Sequence, residues 1–388
     1  MMRSLASVTA LCCAAAFTPQ PIIKSNHRSN NKYQAAPSSN TANYAQPPTI
    51  LCIGETLWDS LPSGLYLGGA PSNVAMHLSS LLSHRDSVAI VSCLGKDQLG
   101  NEARRRMELK GVRTDYIQFH EDWDTGMAIA LIDNNGDATY EFNTPAAWDG
   151  LKMNKLLSAL INSEEGKSQC TIYIMGTIAG RLQSEKGATS ASTLSTVRNN
   201  APNGSVVLDV NLRSPWYGSY KVLALARGDN SSRKLALLKL NDEELVILEG
   251  WCGLTSDTNE LTGSALQDRM KQLAVLLNTQ RICVTRGANG AALWCESADN
   301  NDIFHEHTGY SLDTSGDSDT VGAGDAFLAA LVNSLFVRNE LPGKALERAC
   351  ALGGYVAGCR GATPDHDDAP LELREIFQHE AKRQQLAQ

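Results

Sequence analysis

The segment best suited to chemistry is a glycine-rich turn that leads into an apolar helix. Residues Asp319–Asp325 read Asp-Thr-Val-Gly-Ala-Gly-Asp, and an apolar helical pattern follows over Ala326–Val337. Glycines beside a helix start allow close backbone approach and leave N–H groups facing outward, where the helix dipole favours an anion. An acidic side chain at the same place is expected to stay ionised and to accept a proton. A phosphate cradle beside a base is what phosphoryl transfer to a hydroxyl group requires.

We therefore predict that Asp325 is the catalytic base and that the backbone of Gly322, Ala323 and Gly324 forms an anion hole. The simpler alternative is a helix that begins with an acidic residue after two glycines that only shape a turn. The sequence contains no Walker loop, and Gly322-Ala-Gly324 lacks the third glycine of a dinucleotide fingerprint.

Several further segments, taken together with this one, resemble the motifs of one enzyme family. The stretch Asp319–Phe327 resembles the C-terminal signature of the ribokinase-like sugar kinases, the phosphofructokinase B family. Gly54–Asp59 and Gly68–Ala75 resemble the first strand and the N-terminal substrate signature of fructokinases in that family. Gly95–Gly100 matches the family's G-x-D-x-x-G element, and the motifs follow the family's order.

The resemblance implies roles on the sugar side of the site. In the family, the Asp of the C-terminal signature is the base and its glycines form the anion hole, in agreement with the prediction for Asp325. Asp59, Gly69 and Asn73 would bind the sugar, since carboxylate and amide groups pair with vicinal hydroxyls.

The resemblance also implies roles on the nucleotide side. The segment Asp209–Arg213 resembles the family's Asp-Pro-Asn-x-Arg stretch, with Val210 in place of the Pro. Arg213 would lie near the transferred phosphate, and the alternative for it is a surface salt bridge. The implied ATP contacts are Arg213, Asn241, Thr285, Gly287 and Gly290.

ATP and Mg²⁺ are the implied cofactors, with K⁺ as a further candidate. Asn241 and Glu244 match the family's N-x-x-E motif, in which Glu244 would act on Mg²⁺ through water. The alternative is a helix N-cap followed by acidic residues in the first turn. Asp319 would serve K⁺, as in relatives that need this cation.

These residues must be positioned by alternating strands and helices. Short apolar runs rich in β-branched residues predict buried strands, and amphipathic segments between them predict helices. The alternation predicts a parallel sheet with helices on both faces. The predicted strands are Ile50–Ile53, Val88–Leu94, Ile172–Met175, Val206–Val210, Leu235–Leu240 and Ile282–Thr285, and the predicted helices are Ser72–Leu82, Gln98–Lys110, Glu185–Arg198 and Ala265–Asn278.

One segment departs from this alternation. Gly126–Asp133 and Ala138–Asn143 flank Asn134–Asp137, whose Asn-Gly pair is typical of a hairpin turn. With Leu65–Leu67 they predict a small antiparallel sheet at one edge, either a lid over the cleft or a decoration of the edge. The predicted fold class is α/β, a ribokinase-like three-layer sandwich with a mostly parallel central sheet and a small β-sheet lid. The kinase domain is predicted over 49–375, its lid over about 58–67 and 120–145, and a polar C-terminal tail over 376–388.

The first 48 residues have the composition of a targeting sequence. A basic start at Met1–Arg3 precedes an apolar stretch from Leu5 to Phe17, which has the size of a signal-peptide core. Residues 18–48 are rich in Asn, Ser, Pro and Gln and contain no acidic residue. Ala15–Pro19 resembles the cleavage junction of presequences for secondary plastids. We expect a plastid location, and the alternative is a disordered, uncleaved tail on a cytoplasmic protein.

Composition limits the partners. The formal net charge of −8 gives no electrostatic attraction to nucleic acid or anionic lipid. The ten cysteines include no C-x-x-C pair, so we expect buried thiols rather than a metal site. No apolar stretch is long enough for a membrane span. The expected partners are a sugar and ATP, without nucleic acid or membrane, and an open lid sheet would allow a homodimer.

The predicted function is ATP-dependent phosphorylation of a sugar hydroxyl, with fructose converted to fructose 6-phosphate. The nearest alternative is a nucleoside (adenosine) kinase of the same fold, whose base pocket would use Trp58, Trp123 and Trp148. A non-catalytic, kinase-like subunit of a plastid complex is the alternative from a different class. The intact base and glycines argue against that subunit.

Overall fold

The computed structural model describes residues 49–61, 64–82, 87–132, 138–161, 172–182, 187–201, 204–229, 233–254, 260–299, 301–310 and 320–378. The predicted targeting segment, the hairpin turn at 134–137 and Asp319 lie outside these ranges. In chain order the strands are β1 (Ile50–Ile53), β2 (Leu57–Leu61), β3 (Gly64–Gly68), β4 (Val88–Val91), β5 (Cys93–Gly95), β6 (Gln118–His120), β7 (Gly126–Ile132), β8 (Ala138–Phe142), β9 (Ile172–Gly176), β10 (Ser205–Asp209), β11 (Leu237–Asn241), β12 (Arg281–Thr285), β13 (Ala291–Cys295) and β14 (Ile303–His307). The helices are α1 (Ala70–Leu81), α2 (Gln98–Leu109), α3 (Lys155–Ile161), α4 (Ser190–Asn200), α5 (Ser219–Arg227), α6 (Asp242–Trp251), α7 (Gly263–Leu276), α8 (Ala323–Val332), α9 (Pro342–Ala357) and α10 (Leu371–Phe377).

The main sheet has eight strands in the order β14-β13-β12-β11-β10-β9-β1-β4. Six neighbouring strands, in the sheet order β4-β1-β9-β10-β11-β12, are parallel. β13 and β14 continue the sheet as antiparallel strands. The carboxyl ends of the parallel strands therefore meet along one edge, where the connections to the helices begin.

Alternate side chains of each central strand enter two separate cores. In β1, Ile50 and Cys52 pack with α1, α8 and α9, whereas Leu51 and Ile53 pack with α4, α6 and α7 on the opposite face. Each of these four residues is fully buried. A sheet covered on both faces explains the continuous apolar runs, and it forms the predicted three-layer sandwich.

A second sheet, of four strands in the order β3-β2-β7-β8, lies beside the main sheet in the region predicted as the lid. β2 pairs with β3 and β7 with β8 in antiparallel fashion, but β2 and β7 are parallel, so the sheet is mixed rather than antiparallel as predicted. The predicted strand Val88–Leu94 is also wrong as a single element. After Val91 the chain leaves the main sheet at the buried Ser92, and β5 pairs with β6 instead.

Local signals explain where the helices near the cleft begin. Pro71 lies in the first turn of α1, a position where its missing N–H costs nothing. Asp97 caps α2 by accepting a hydrogen bond from the amide of Gly100 at 2.6 Å.

α10 continues to Phe377, whose buried ring extends the core two residues beyond the predicted domain end at 375. No helix of the described ranges combines the length and apolar character needed to cross a bilayer.

Candidate active site

A cavity of about 380 Å³ opens at the carboxyl edge of the main sheet, beneath the four-stranded sheet. Its walls come from the β1–β2 connection, β2, the start of α1, the segment after β10, β11 and the start of α8. We call it the sugar cavity, because residues predicted to bind the sugar line it. Seven of the predicted site residues line it: Asp59, Gly69, Asn73, Arg213, Gly322, Gly324 and Asp325.

Asp325 lies in the first turn of α8 and is partly exposed to the sugar cavity. The side-chain amide of Asn73, on α1, donates a hydrogen bond to Oδ2 of Asp325 at 2.8 Å. The amide oxygen of the same Asn73 is buried and has no hydrogen-bond partner in the described part of the chain. It therefore offers an acceptor to a ligand hydroxyl beside the carboxylate.

The pKa of Asp325 is raised to about 6, first by burial and then by the neighbouring carboxylate of Asp209. The hydrogen bond from Asn73 and the positive charges of Lys239 and Arg213 oppose this rise. Burial thus opposes the stabilisation of the carboxylate that the helix start is predicted to provide. One unit above its pKa, at pH 7, Asp325 is still ionised in about ten molecules of eleven.

Gly322 is the N-cap of α8 and has a left-handed backbone with φ of 78°. A Cβ at this position would lie 2.5 Å from the Cβ and 2.6 Å from the Cα of Ala362, so only glycine fits. The amide of Ala323 donates to the carbonyl oxygen of Thr320 at 3.3 Å. The amides of Gly324 and Asp325 belong to the first turn of α8, where intrahelical acceptors are absent.

A buried ion pair reinforces this end of the cavity, and the sequence analysis did not predict it. Nζ of Lys239, in β11, lies 3.0 and 3.1 Å from the two carboxylate oxygens of Asp209, in β10. The same nitrogen lies 3.1 Å from the position that a Cβ on Gly324 would occupy. The carboxylates of Asp209, Glu244 and Asp325 outweigh desolvation and keep the pKa of Lys239 raised, so the positive charge is retained. The signal available in the sequence was a lysine inside the otherwise apolar run Leu235–Leu240.

A second cavity, of about 450 Å³, lies on the other side of the start of α8. We call it the nucleotide cavity, because residues predicted to contact ATP line it. Thr285, Gly287 and Gly290, three of the predicted ATP contacts, line it after β12. Gly290 has φ of 77°, and a Cβ there would collide with the carbonyl oxygen of His307. The two cavities share Thr320 and Gly324, so ligands in them would meet at the amino-terminal end of α8.

Asn241 and Glu244 are engaged in capping α6 and line neither cavity. Oδ1 of Asn241 accepts from the amide of Glu244 at 2.7 Å, and Oε2 of Glu244 accepts from the amide of Asn241 at 2.9 Å. Oε1 of Glu244 accepts from the amide of Leu212 at 2.7 Å, which anchors the segment that carries Arg213. The geometry is that of the helix-cap alternative, and an action of Glu244 on Mg²⁺ stays a prediction.

Comparison with known proteins identifies the family. A profile of the pfkB family carbohydrate kinases matches residues 63–369, most of the chain. The chain belongs to the pfkB family. It is 27% identical over 377 residues to "Probable fructokinase-6, chloroplastic" of Arabidopsis thaliana, with 90% of this chain and 87% of that protein covered. It is 27% identical over 312 residues to an ATP-dependent ribose-1-phosphate kinase of Halopiger xanaduensis, with 80% and 87% covered.

Among solved structures, the fructokinase of Xylella fastidiosa with bound ATP is similar, with a TM-score of 0.64 at 20% identity. The match covers 87% of this chain and 99% of that one. The ribokinase-like fold predicted from the sequence is confirmed. This pfkB kinase is an ATP-dependent carbohydrate kinase.

Proposed function

We propose that this pfkB kinase transfers the γ-phosphoryl group of ATP to a primary hydroxyl of a ketohexose, most readily fructose, with Asp325 as the base. The observation that carries the proposal is the position of Asp325. It faces the sugar cavity at the helix start that the nucleotide cavity shares.

The reaction balances without a further reactant. Asp325 accepts the proton of the sugar hydroxyl, the hydroxyl oxygen bonds to the γ-phosphorus, and the bond to the β–γ bridging oxygen breaks to release ADP. Asn73 orients the carboxylate through the 2.8 Å hydrogen bond to Oδ2, leaving the other carboxylate oxygen for the sugar. Asp59 and Gly69 complete the wall that holds the sugar.

The γ-phosphoryl group carries negative charge during its transfer, so positive charge beside it would stabilise the transition state. The first-turn amide of Gly324 and the ammonium group of Lys239 supply it from the helix end and from β11. Arg213 lines the same cavity from the segment after β10.

The donor set fits a magnesium ion held mainly by the nucleotide. The described residues contain no cluster of three His, Cys, Asp or Glu side chains able to hold a metal. Mg²⁺ commonly binds through substrate phosphates, waters and one or two carboxylates, and the buried Glu244 would act through water. When bound, Mg²⁺ would neutralise charge on the phosphate oxygens. K⁺ would use Asp319, outside the described residues.

Three observations favour fructose over a nucleoside. The Arabidopsis thaliana relative described above is named as a probable fructokinase. The segment Gly54–Asp59 resembles the form that this segment has in fructokinases. The three tryptophans considered for a base pocket are engaged elsewhere. Trp58 donates to the carbonyl of Leu99 at 3.1 Å, Trp148 packs under the guanidinium of Arg181, and Trp123 stacks on His120.

The test measures kcat/KM for fructose, ribose, ribose 1-phosphate, 2-keto-3-deoxygluconate and adenosine, for the wild type and for Asp325→Asn. We expect fructose to lead and Asp325→Asn to lower kcat by roughly 10²–10⁴-fold with ATP affinity unchanged. Asp268→Asn, at an exposed position on α7, is the matched control. Near-normal turnover in folded Asp325→Asn would remove the mechanism, whereas preference for another sugar would change only the substrate.

We further propose that residues 1–48 direct the protein to a plastid. The composition of these residues and the resemblance of Ala15–Pro19 to a presequence cleavage junction support this location. The Arabidopsis thaliana relative, whose name includes the word chloroplastic, supports it as well. A fluorescent fusion of this segment should accumulate in plastids of an algal host. Fluorescence in the cytosol, with Met1 retained, would refute the location and leave the kinase proposal intact.

A further inference from the structure

A second carboxyl group lines the sugar cavity, and the mechanism above gives it no role. Glu55 follows β1 and is only 2% exposed. Its Oε1 accepts a hydrogen bond from the amide of Ala70 at 3.1 Å, at the start of α1. Its Oε2 is buried and has no hydrogen-bond partner within the described ranges. A buried oxygen in that condition costs free energy unless a ligand satisfies it.

The charges around Glu55 decide which form of the carboxyl group is present. Burial is the main cause that raises the pKa of Glu55, and the carboxylate of Asp325, on α8, adds to the rise. Hydrogen bonds from two backbone amides and the charge of Arg213, in the segment after β10, oppose it, and the resulting pKa is about 8. Asp59 from β2 and Lys239 from β11 line the same cavity. At pH 7 the group is therefore mostly the neutral acid.

A neutral carboxylic acid has one O–H donor. Because Oε1 already accepts from the amide of Ala70, the proton belongs on Oε2. Glu55 then offers the sugar cavity a hydrogen-bond donor, whereas the two other acidic side chains, Asp59 and Asp325, offer acceptors.

We propose that Glu55 is a specificity-determining residue that donates a hydrogen bond from Oε2 to a neutral acceptor oxygen of the sugar, a hydroxyl, ring or carbonyl oxygen. The inference rests on the proposed sugar-kinase function and defines its substrate class. With the carboxyl groups of Asp59 and Asp325 in the same cavity, and with Lys239 paired to Asp209, an uncharged sugar is accepted in preference to a sugar phosphate or sugar acid.

A structural role for Glu55 is the competing explanation, because its Oε1 also holds the start of α1. Glu55→Gln separates the two explanations, since the amide keeps an acceptor for Ala70 and a donor for the sugar but cannot titrate. Glu55→Leu removes both. Glu243→Gln, at an exposed position in the first turn of α6, is the matched control.

The experiment follows kcat/KM for the best neutral sugar of the panel from pH 6 to 9.5, with sugar phosphate quantified directly by mass spectrometry. For the wild type and Glu243→Gln, kcat/KM should fall about tenfold per pH unit above the Glu55 pKa of about 8. Glu55→Gln should lose a few-fold at pH 7 and should lack this alkaline fall. Glu55→Leu should lose about 10–100-fold for the sugar, with KM for ATP unchanged.

Each outcome is decisive. An alkaline fall in Glu55→Gln with the wild-type midpoint would overturn the inference, as would equal sugar kcat/KM for Glu55→Gln and Glu55→Leu in proteins of normal thermal stability. Better turnover of ribose 1-phosphate than of every neutral sugar would overturn the substrate class. A wild type inactive towards all sugars would instead refute the proposed function, and this inference with it.

Discussion

Replacing Gly322 by alanine tests whether the left-handed turn before α8 is needed to form the anion hole. An L-residue with φ near 78° is strained by about 1–2 kcal/mol. The added Cβ would lie 2.5 Å from the Cβ of Ala362, and overpacking of this kind costs about 1–3 kcal/mol. Ala362 cannot retreat freely, because its carbonyl oxygen accepts a hydrogen bond from Nε2 of the buried His77 at 2.9 Å. Together, Gly322→Ala should destabilise the fold by about 2–5 kcal/mol.

The same substitution should damage catalysis, because relief of the collision moves the first amides of α8. A displacement near 1 Å costs about 10²-fold in rate. Urea unfolding and kcat would be measured for Gly322→Ala and for the control Gly218→Ala, where a Cβ meets nothing within 4 Å. If the two variants matched in both stability and kcat, the role of the turn at Gly322 would be refuted.

Three further outcomes follow from the site. Because Asp325 must be deprotonated to accept a proton, kcat/KM should fall about tenfold per pH unit below its pKa of about 6, and a profile flat to pH 5 would contradict this. Asp59→Ala should weaken sugar binding by about 1–3 kcal/mol without changing ATP affinity, as read from the two KM values. Lys239→Met should destabilise the fold by about 3–5 kcal/mol, because Asp209 loses its buried partner. In thermal unfolding, adding Asp209→Asn should restore most of that stability but not the turnover, and restored turnover would exclude a role for the ammonium group.

Sequence patterns predicted the parallel part of the fold well. Strands such as Ile50–Ile53 are apolar on both faces, so their burial and type could be read from composition alone. The antiparallel strands β13 and β14 were not predicted. β14 carries His305, Glu306 and His307 in a half-exposed edge position, and local composition does not distinguish such a strand from a loop.

Residues that line the sugar cavity were predictable where glycine geometry and motif order coincide, as at Gly69 and Gly322. Lys239 and Glu55 were missed as functional candidates for a shared reason. Each depends on groups far along the chain, Lys239 on Asp209 and Glu55 on the cavity that α8 closes. Their charge states follow from burial and neighbours, which no local spacing encodes.

The division of the site between two stretches of chain bears on how such an enzyme could change its substrate. Glu55, Asp59, Gly69 and Asn73 all come from the first hundred residues, whereas the groups proposed to handle phosphate, Arg213, Lys239 and Gly324, come later in the chain. In the part of the chain that the structure describes, a hydrogen bond from Asn73 to Asp325, across 252 residues, joins the two sets directly. Mutation or recombination confined to the amino-terminal stretch could therefore change the sugar that the enzyme accepts without altering the residues proposed for phosphoryl transfer. A chimera that takes this stretch from a relative and keeps Asn73 is the natural starting point for engineering a new acceptor.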